Sequence, residues 1–393
     1  MATRSLRGQV AVVGIGETAY YKHGQSPDAE FKLALKAIIA ACADAGLDPR
    51  KIDGFSSYSN DRCDPSRLAA ALGIDRLRSA LMQSGGGGGG AAAAVANGAA
   101  AIAAGLAECV VVFRALAQGE YGRFGQAAGS TTIAGDMAYQ MPYGVLAPPQ
   151  KFAMKVTRFM HEHGIGRDAQ RAVALASYHH AQANPRAVMH GKPLSAERYD
   201  AARWIVEPFK LFDCCMENDG AAAIVLVAAE RAKDFAHKPA YLLGAASGSG
   251  FRAGAMAHNA PAYGSANYDA LAADLFGMAG LGPRDVGSVQ AYENFTGGVM
   301  MALADHGFFA PEEANQFLTL ENLTAPAGRL PLNTSGGNLA ECYVHGFELV
   351  VEAVRQVRGT STSQAARGDV ALVIGGPMVS PASNLLLGSE ATL

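Results

Sequence analysis

The sequence predicts an α/β chain made of two copies of one unit, with an insert in the first copy. Three observations carry this. Apolar strand-like runs alternate with Ala-rich helical segments. The segment "DAGLDPRKIDGF" at 44–55 returns as "MAGLGPRDVGSV" at 278–289. Each copy is then followed by a glycine-led helix and a closing strand. The order helix, AGLxPR, strand, SGG, helix, strand therefore occurs twice. Alternation of this kind places α/β units around buried sheets, and its recurrence argues for a duplicated chain rather than two unrelated domains. The first half is placed at 1–235 and the second at 236–393.

The elements follow in order. "QVAVVG" at 9–14 reads as a buried strand. A helix is expected from Ser26, with Ser26 as N-cap, Pro27 in the first helical position and Asp28 and Glu30 in the first turn. Its apolar stripe is Phe31, Leu35, Ile38, Cys42 and Ala45, so Cys42 is a core residue. A strand is expected at 53–59. "QSGGGGGG" at 83–90 opens an Ala-rich helix, and "AECVVVF" at 107–113 closes the unit. Residues 119–210 form the insert, with helical pieces at 150–163 and 167–183. Arg114, Tyr121, Arg123 and Phe124 stand at its start, where they are expected to shape a pocket. The chain returns to the sheet at 221–228. In the second copy "TSGGN" at 334–338 opens a helix and "GDVALVIGG" at 368–376 ends in a strand.

The 393 residues are 50% hydrophobic and 17% charged, enough to bury a large core. A net charge of −3, without a basic run or interleaved aromatics, disfavours nucleic acid as a partner. No apolar stretch reaches the ~18 residues of a membrane helix, and "MATRSLRGQVAVVGIGE" runs into a strand without a signal-peptide pattern. A cytoplasmic protein is expected. The six cysteines include no C-x-x-C, and Cys214 and Cys215 are adjacent, which fits neither zinc spacing nor a secreted disulfide framework. The histidines give no H-E-x-x-H, so no metal site is expected.

Four stretches bear on chemistry. "VVGIGETA" at 12–19 fits G-x-G-x-x-A, but the chain continues "YYKHGQ" before the expected helix cap. A dinucleotide site needs the helix to start inside the motif, so a glycine turn after the first strand is the reading taken. The glycine run at 85–90 permits either anion or carbonyl polarisation by backbone N–H groups or close helix packing. In "SGGNLAECYVHG", 335–346, a helix from Asn338 would put Leu339, Tyr343, Phe347, Val350, Val354 and Val357 on one face. Glu341, His345, Glu348 and Glu352 would fall on the opposite, polar face, with His345 paired to Glu341 or Glu348 and Cys342 to one side. Tyr343 then sits in the first turn, near the positive helix end. In "VQAYENFTGGV", 289–299, Tyr292, Glu293 and Asn294 follow a strand, where ligands bind in open α/β sheets. From the residues alone, each tyrosine is also consistent with an ordinary core position.

"LFDCCMENDGAAAIVL", "AGLxPR", "GLAECVVV" and "NTSGG" resemble blocks of the thiolase superfamily, in its sterol-carrier-protein-type branch, over nearly the whole chain. The resemblance implies a duplicated five-layer α/β/α/β/α fold. The catalytic positions depart from the family pattern. The nucleophilic Cys would fall near Gly88, the second Cys on Val373 and the His of the G-H-P motif on Tyr343. The strand-end N-E-A-F or H-D-C-F motif reads "YENF", with Tyr292 first. Acyl transfer through a cysteinyl thioester has no nucleophile here.

"SGGNLAECYVHG" and "YENFTGG" resemble the steroid side-chain aldolases of that superfamily. This implies retro-aldol cleavage of a β-hydroxyacyl-coenzyme A to a ketone and a shorter acyl-coenzyme A such as propionyl-coenzyme A. It implies Tyr292 and Tyr343 as the catalytic pair, one taking the hydroxyl proton and the other protonating the enolate. Backbone N–H groups near Gly88, Gly375 and Gly376 would form the oxyanion hole, with Asn294 as a further donor. Coenzyme A enters as substrate and no cofactor is implied. The partners implied are a second copy of the chain and a small OB-fold/zinc-ribbon subunit, together a heterotetramer. Two other readings stand beside this one: an inactive thiolase-fold subunit that binds acyl-coenzyme A or stabilises a partner, and a cysteine-independent condensing enzyme.

Overall fold

The computed structural model describes residues 5–121, 133–253 and 262–393. Arg123 and Phe124, at the start of the insert, lie outside the described residues.

Strand β1 (Val10–Glu17) carries a continuous buried run, and helix α1 (Glu30–Ala45) packs across it. α1 begins at Glu30 rather than at Ser26. Ser26 Oγ instead accepts from the Asp28 N–H at 3.1 Å, closing a local turn, a use of serine that competes with helix capping. Cys42 is fully buried on the α1 face that meets the sheet. Gly14 and Gly16 lie within β1, not in a turn after it. A Cβ on Gly16 would stand 2.8 Å from the carbonyl carbon of Ala40, and closer still to backbone atoms of Ala37 and Ala41. The glycines of the G-x-G-x-x-A motif are there because the α1 backbone rests directly on the strand.

The rest of the first half is β2 (Gly54–Tyr58), β3 (Ser79–Gln83), α2 (Ala91–Ala103), β4 (Cys109–Ala117) and β5 (Asn218–Ala228). Between β4 and β5 the insert contributes α3 (Pro148–His163) and α4 (Arg167–Ala183). The second half runs β6 (Ala240–Gly248), α5 (Asp269–Ala279), β7 (Ser288–Ala291) and α6 (Thr296–Asp305). It ends with α7 (Gly337–Ala340), α8 (Phe347–Arg358), β8 (Val370–Gly375) and β9 (Ala382–Gly388).

The duplication is visible in backbone angles. α1 ends on Gly46 at φ 69°, ψ 28°, and α5 ends on Gly280 at φ 63°, ψ 27°. Each left-handed cap is followed by a 3₁₀ turn, Pro49–Lys51 or Pro283–Asp285. AGLxPR is thus a helix stop and a turn written twice. The strands run β7-β8-β9-β6-β1-β5-β4-β2-β3, with Tyr21–Lys22 added beside β5. From the centre outward the two halves have matching order and matching senses. β2 and β4 are parallel like β7 and β8, while β4 and β5 are antiparallel like β8 and β9. The halves join by a short ladder in which Ala11 faces Tyr241 and Val12 faces Ala240.

α2 touches strands of both halves, as does α8, and their side chains share one apolar core. α1 covers the outside of the first half and α5 the outside of the second. This gives five layers, helix, sheet, helices, sheet, helix, the order that the resemblance implies.

One expected element divides. The helix from Asn338 stops at Ala340 and resumes at Phe347. The carbonyls of Ala340 and Glu341, which a continuous helix would use at 344 and 345, accept from the Met189 and Val188 N–H groups of the insert at 3.1 and 2.8 Å. His345 (φ 58°) and Gly346 (φ 88°) are left-handed and complete the break.

Substituting Gly16→Val is expected to destabilise the fold by about 3 kcal/mol, since the α1 backbone has no room to yield. Denaturant unfolding checks this. A stability loss below about 0.5 kcal/mol, the size of a neutral surface change, would show that β1 and α1 are not in backbone contact.

Candidate active site

A cavity of about 780 Å³ opens where the central helices, the ends of the second-half strands and the insert meet. Its wall is mostly apolar, with Phe152 from α3, Tyr178 from α4, Phe212, Leu339 and Met378 among its residues. Tyr292, Asn294, Tyr343, His345 and Gly88 line it as well. A second cavity of about 820 Å³ lies beside Glu17, Arg186, Arg355 and Arg358 and contains neither tyrosine. There Arg355 pairs with Glu17, and Arg358 with Asp44 at 2.7 Å.

Tyr292 is the first residue past β7, and its N–H donates to the Ile374 carbonyl of β8 at 2.8 Å. Tyr343 stands in the break between α7 and α8. Its N–H donates to Asn218 Oδ1 at 2.9 Å, which ties it to the first residue of β5. The two phenol oxygens are 2.8 Å apart, a direct hydrogen bond. Burial pushes both hydroxyls well above the ordinary phenol range, so both are neutral at physiological pH. The expected placement of Tyr343 in a helical first turn does not hold. It lies beyond the end of α7 and before α8 begins, so its environment comes from the side chains around it rather than from a helix end.

Asn294 fixes its amide by accepting from the Phe295 N–H through Oδ1 at 2.9 Å, which leaves its NH₂ as the donor end. Gly88 has its side-chain direction filled: a Cβ there would stand 2.7 Å from the Tyr292 hydroxyl oxygen and closer to the ring carbons. Gly375 and Gly376 are outside the cavity wall. They press on Gly88 and Gly89, where a Cβ on Gly376 would come 2.6 Å from the Gly89 Cα.

The polar face assigned to Glu341, His345, Glu348 and Glu352 is buried instead. All three glutamates are fully covered. Glu348 accepts from the Asn338 amide and the Val344 N–H, and Glu341 from the Asn184 amide at 2.8 Å. Glu352 accepts from Thr334 and Ser361, each at 2.6 Å. His345 leaves the face it was expected to share with Glu341 and Glu348. It turns into the cavity, its ring stacked on Tyr58 at 5.7 Å between centroids. The left-handed backbone at 345 turns the side chain away from the face that helical phasing assigns, and nothing in the residue pattern marks that turn. Cys214 and Cys215 also line the cavity. Burial raises the Cys214 thiol to about 12 and the Cys215 thiol well above its usual value. Among the described residues no cluster of His, Cys, Asp and Glu could hold a metal ion, and no helix is long and apolar enough to cross a membrane.

Residues 257–389 match the family model described as "Thiolase C-terminal domain-like". The chain is 39% identical over 392 residues to a steroid side-chain-cleaving aldolase of Thermomonospora curvata, covering 98% of this chain and 99% of that protein. The chain belongs to the steroid side-chain-cleaving aldolases of the thiolase fold. It is also 38% identical to a 17-hydroxy-3-oxo-4-pregnene-20-carboxyl-CoA lyase of Mycobacterium tuberculosis, over 98% of this chain and 100% of that protein. A solved Ltp2-ChsH2(DUF35) aldolase superimposes with a TM-score of 0.90 at 37% identity, covering 99% of this chain and 100% of the matched one. As a carbon–carbon lyase, this aldolase has the Tyr292 phenol ring in the space that a side chain on residue 88 would occupy.

Two outcomes follow. Burial holds Glu293 up to about 7 and Glu341 up to about 8, against an ordinary 4.5. Between pH 4.5 and 8 the folded aldolase holds protons that the unfolded chain has lost, so these groups make stability fall as pH rises through that window. The melting temperature is expected to decline from pH 6 to pH 8.5, and Glu341→Gln to flatten the decline. An equally steep decline in that variant would show that Glu341 titrates normally. Second, the cavity thiols are expected to resist iodoacetamide at pH 8 in the native protein and to react fully in denaturant. Rapid native labelling of Cys214 or Cys215, read by peptide mass spectrometry, would show a thiolate that burial does not suppress.

Proposed function

We propose that this aldolase cleaves a β-hydroxyacyl-coenzyme A thioester, a steroid carrying the acyl group as a side chain, to a ring ketone and a shorter acyl-coenzyme A such as propionyl-coenzyme A. The observation that carries the reading is the 2.8 Å contact between the Tyr292 and Tyr343 hydroxyls inside the cavity. The relatives named above supply the substrate class.

The electron and proton count closes without a cofactor or a covalent intermediate. The β-hydroxyl loses its proton, the carbon–oxygen bond becomes a carbonyl, and the bond between the α- and β-carbons breaks. Its electron pair is shared with the thioester carbonyl, which gains enolate character as the α-carbon takes a proton. One proton leaves oxygen and one arrives at carbon. Two neutral phenols in contact can carry that transfer as a relay. The first accepts from the substrate while donating to the second, and the second donates to the α-carbon. No net phenolate is required, which suits hydroxyls whose ionisation burial opposes. The tyrosine facing the substrate hydroxyl is the accepting one. Asn294, through its NH₂, and backbone N–H groups near Gly88, Gly375 and Gly376 are the oxyanion donors proposed from the sequence. Of these four residues, Asn294 and Gly88 line the cavity. The mostly apolar wall suits a steroid body, which brings few polar groups to satisfy.

Two phenols in contact in an open cavity weigh against an inactive subunit. The assembly proposed is a homodimer joined by a small OB-fold/zinc-ribbon subunit, as the resemblance implies. The solved Ltp2-ChsH2(DUF35) aldolase supports a two-protein complex for that relative.

Tyr292→Phe and Tyr343→Phe are each expected to lower kcat by about 100-fold or more, the range of a lost general acid or base, with the fold intact. The relay also predicts a kcat/KM nearly level between pH 6.5 and 9. A tenfold rise per pH unit would mean that a free phenolate is the base. Near wild-type turnover in both Phe variants would remove the tyrosines from the chemistry.

A further inference from the structure

Retro-aldol cleavage needs a group that holds the thioester oxygen while it takes on enolate charge. The two tyrosines are occupied with the proton. Gly375 and Gly376 face the backbone of Gly88 and Gly89, and the ring of Tyr292 covers the side-chain direction of Gly88. The break between α7 and α8 brings a further group into this wall.

His345 completes a triangle of rings with the two tyrosines. The centroid separations are 5.9 Å for Tyr292–Tyr343, 6.4 Å for Tyr292–His345 and 5.9 Å for Tyr343–His345. The planes are inclined by 57°, 55° and 54°, like three blades of a propeller. All three rings line the cavity, and each residue is 4% exposed. The imidazole is held from behind. Tyr58 donates its hydroxyl to the His345 carbonyl at 2.8 Å, and its ring stacks at 28° on the imidazole. The left-handed backbone at 345 directs the side chain inward, and Gly346 beside it has no Cβ to strike Tyr292, whose Cε2 would lie 3.1 Å away. Nε2 is the nitrogen turned toward Gly87 on the cavity wall. A Cβ on Gly87 would lie 3.6 Å from it and partly cover it. Burial, and after it the buried Arg114 guanidinium, hold the imidazole well below its ordinary pKa and therefore neutral.

We propose that His345 is a further catalytic residue, donating from Nε2–H to the thioester oxygen, beside the Asn294 amide, as enolate charge develops there. The proposal rests on the retro-aldol reading above. The proton stays on Nε2 throughout, so the step is electrostatic stabilisation by an oriented donor. A neutral donor fits a wall that already faces the fixed charge of Arg114, where an imidazolium would be opposed.

His345→Phe and His345→Gln in the full complex test this. Phe keeps a ring on Tyr58 and loses the donor, whereas Gln supplies an amide N–H of similar reach. Two reactions are read on each: cleavage of the β-hydroxyacyl-coenzyme A, and exchange of the α-hydrogens of propionyl-coenzyme A with D₂O, followed by mass spectrometry. The exchange requires the enolate but no β-hydroxyl. His345→Phe is expected to lose about 100-fold in kcat and a similar factor in exchange, with its affinity for propionyl-coenzyme A little changed. His345→Gln is expected to recover about tenfold of each. The proposal is overturned if the Phe variant keeps wild-type cleavage and exchange, or if a folded Gln variant loses as much as Phe. If the wild-type complex neither cleaves nor exchanges, the retro-aldol reading itself fails, and the role of His345 with it.

Discussion

Two stretches of backbone, Gly86–Gly90 from one half and Gly375–Gly376 from the other, meet just behind the cavity wall with no side chain between them, and the site depends on that meeting. A Cβ on Gly376 would fall 2.6 Å from the Gly89 Cα, and one on Gly88 would fall 2.7 Å from the Tyr292 oxygen. The glycine run is therefore a packing requirement and a chemical choice together. The volume that a cysteine side chain would need at residue 88 is the volume the Tyr292 ring uses. A nucleophile there and a phenol at 292 are mutually exclusive on steric grounds. A cysteine at residue 88 and the Tyr292 ring would compete for one space, so the phenol occupies the wall where the thiolase resemblance would put a nucleophile.

The second constraint is the break at 341–346. Keeping polar groups buried is costly unless each finds a partner, about 1–3 kcal/mol for one left unsatisfied. Here the partners specify the break. Asn338 bridges Glu293 and Glu348, exchanging hydrogen bonds with the Glu293 backbone at 2.9 Å and its carboxylate at 2.8 Å. Ser177 of the insert reaches the same carboxylate. The insert takes the Ala340 and Glu341 carbonyls through residues 188 and 189. Without it, an amphipathic helix through Tyr343 would satisfy the backbone equally well. The insert thus positions Tyr343 and His345 from behind, besides lining the cavity in front of them.

The duplication was legible because its signals are local. AGLxPR carries a left-handed glycine and a proline turn, whose backbone preferences need no tertiary context. Tyr292 was legible for a similar reason, since a residue just past a strand of an α/β sheet sits at the ligand edge. Tyr343 was found through family resemblance, and the helical phasing that agreed with it assumed a helix that the structure interrupts. The same phasing sent His345 to a polar face. Phasing fails where long-range hydrogen bonds replace the i to i−4 ladder, and those bonds come from Val188 and Met189, some 150 residues earlier in the chain. Likewise, Ser26 read as a cap because Ser-Pro followed by acidic residues is a strong local pattern, but its hydroxyl closes a turn with Asp28 instead.

On the proposed function, burial favours moving protons in this cavity over forming covalent bonds. A thioester beside two cysteines is ordinarily at risk of thiol exchange, which would acylate the protein. Attack requires a thiolate, and burial of Cys214 raises its thiol to about 12. At pH 7 that leaves a thiolate fraction on the order of 10⁻⁵. The same loss of hydration keeps Tyr292 and Tyr343 protonated, but it affects them differently. A nucleophile must carry its charge before it attacks, whereas a relay through two hydroxyls in contact moves a proton without building full charge on either oxygen. One physical cause, a poorly hydrated wall, therefore quiets the cavity thiols and, on the proposed function, suits a proton relay between the paired phenols. On the proposed function, the apolar character of the wall belongs to the reaction as much as to the fit of a steroid body.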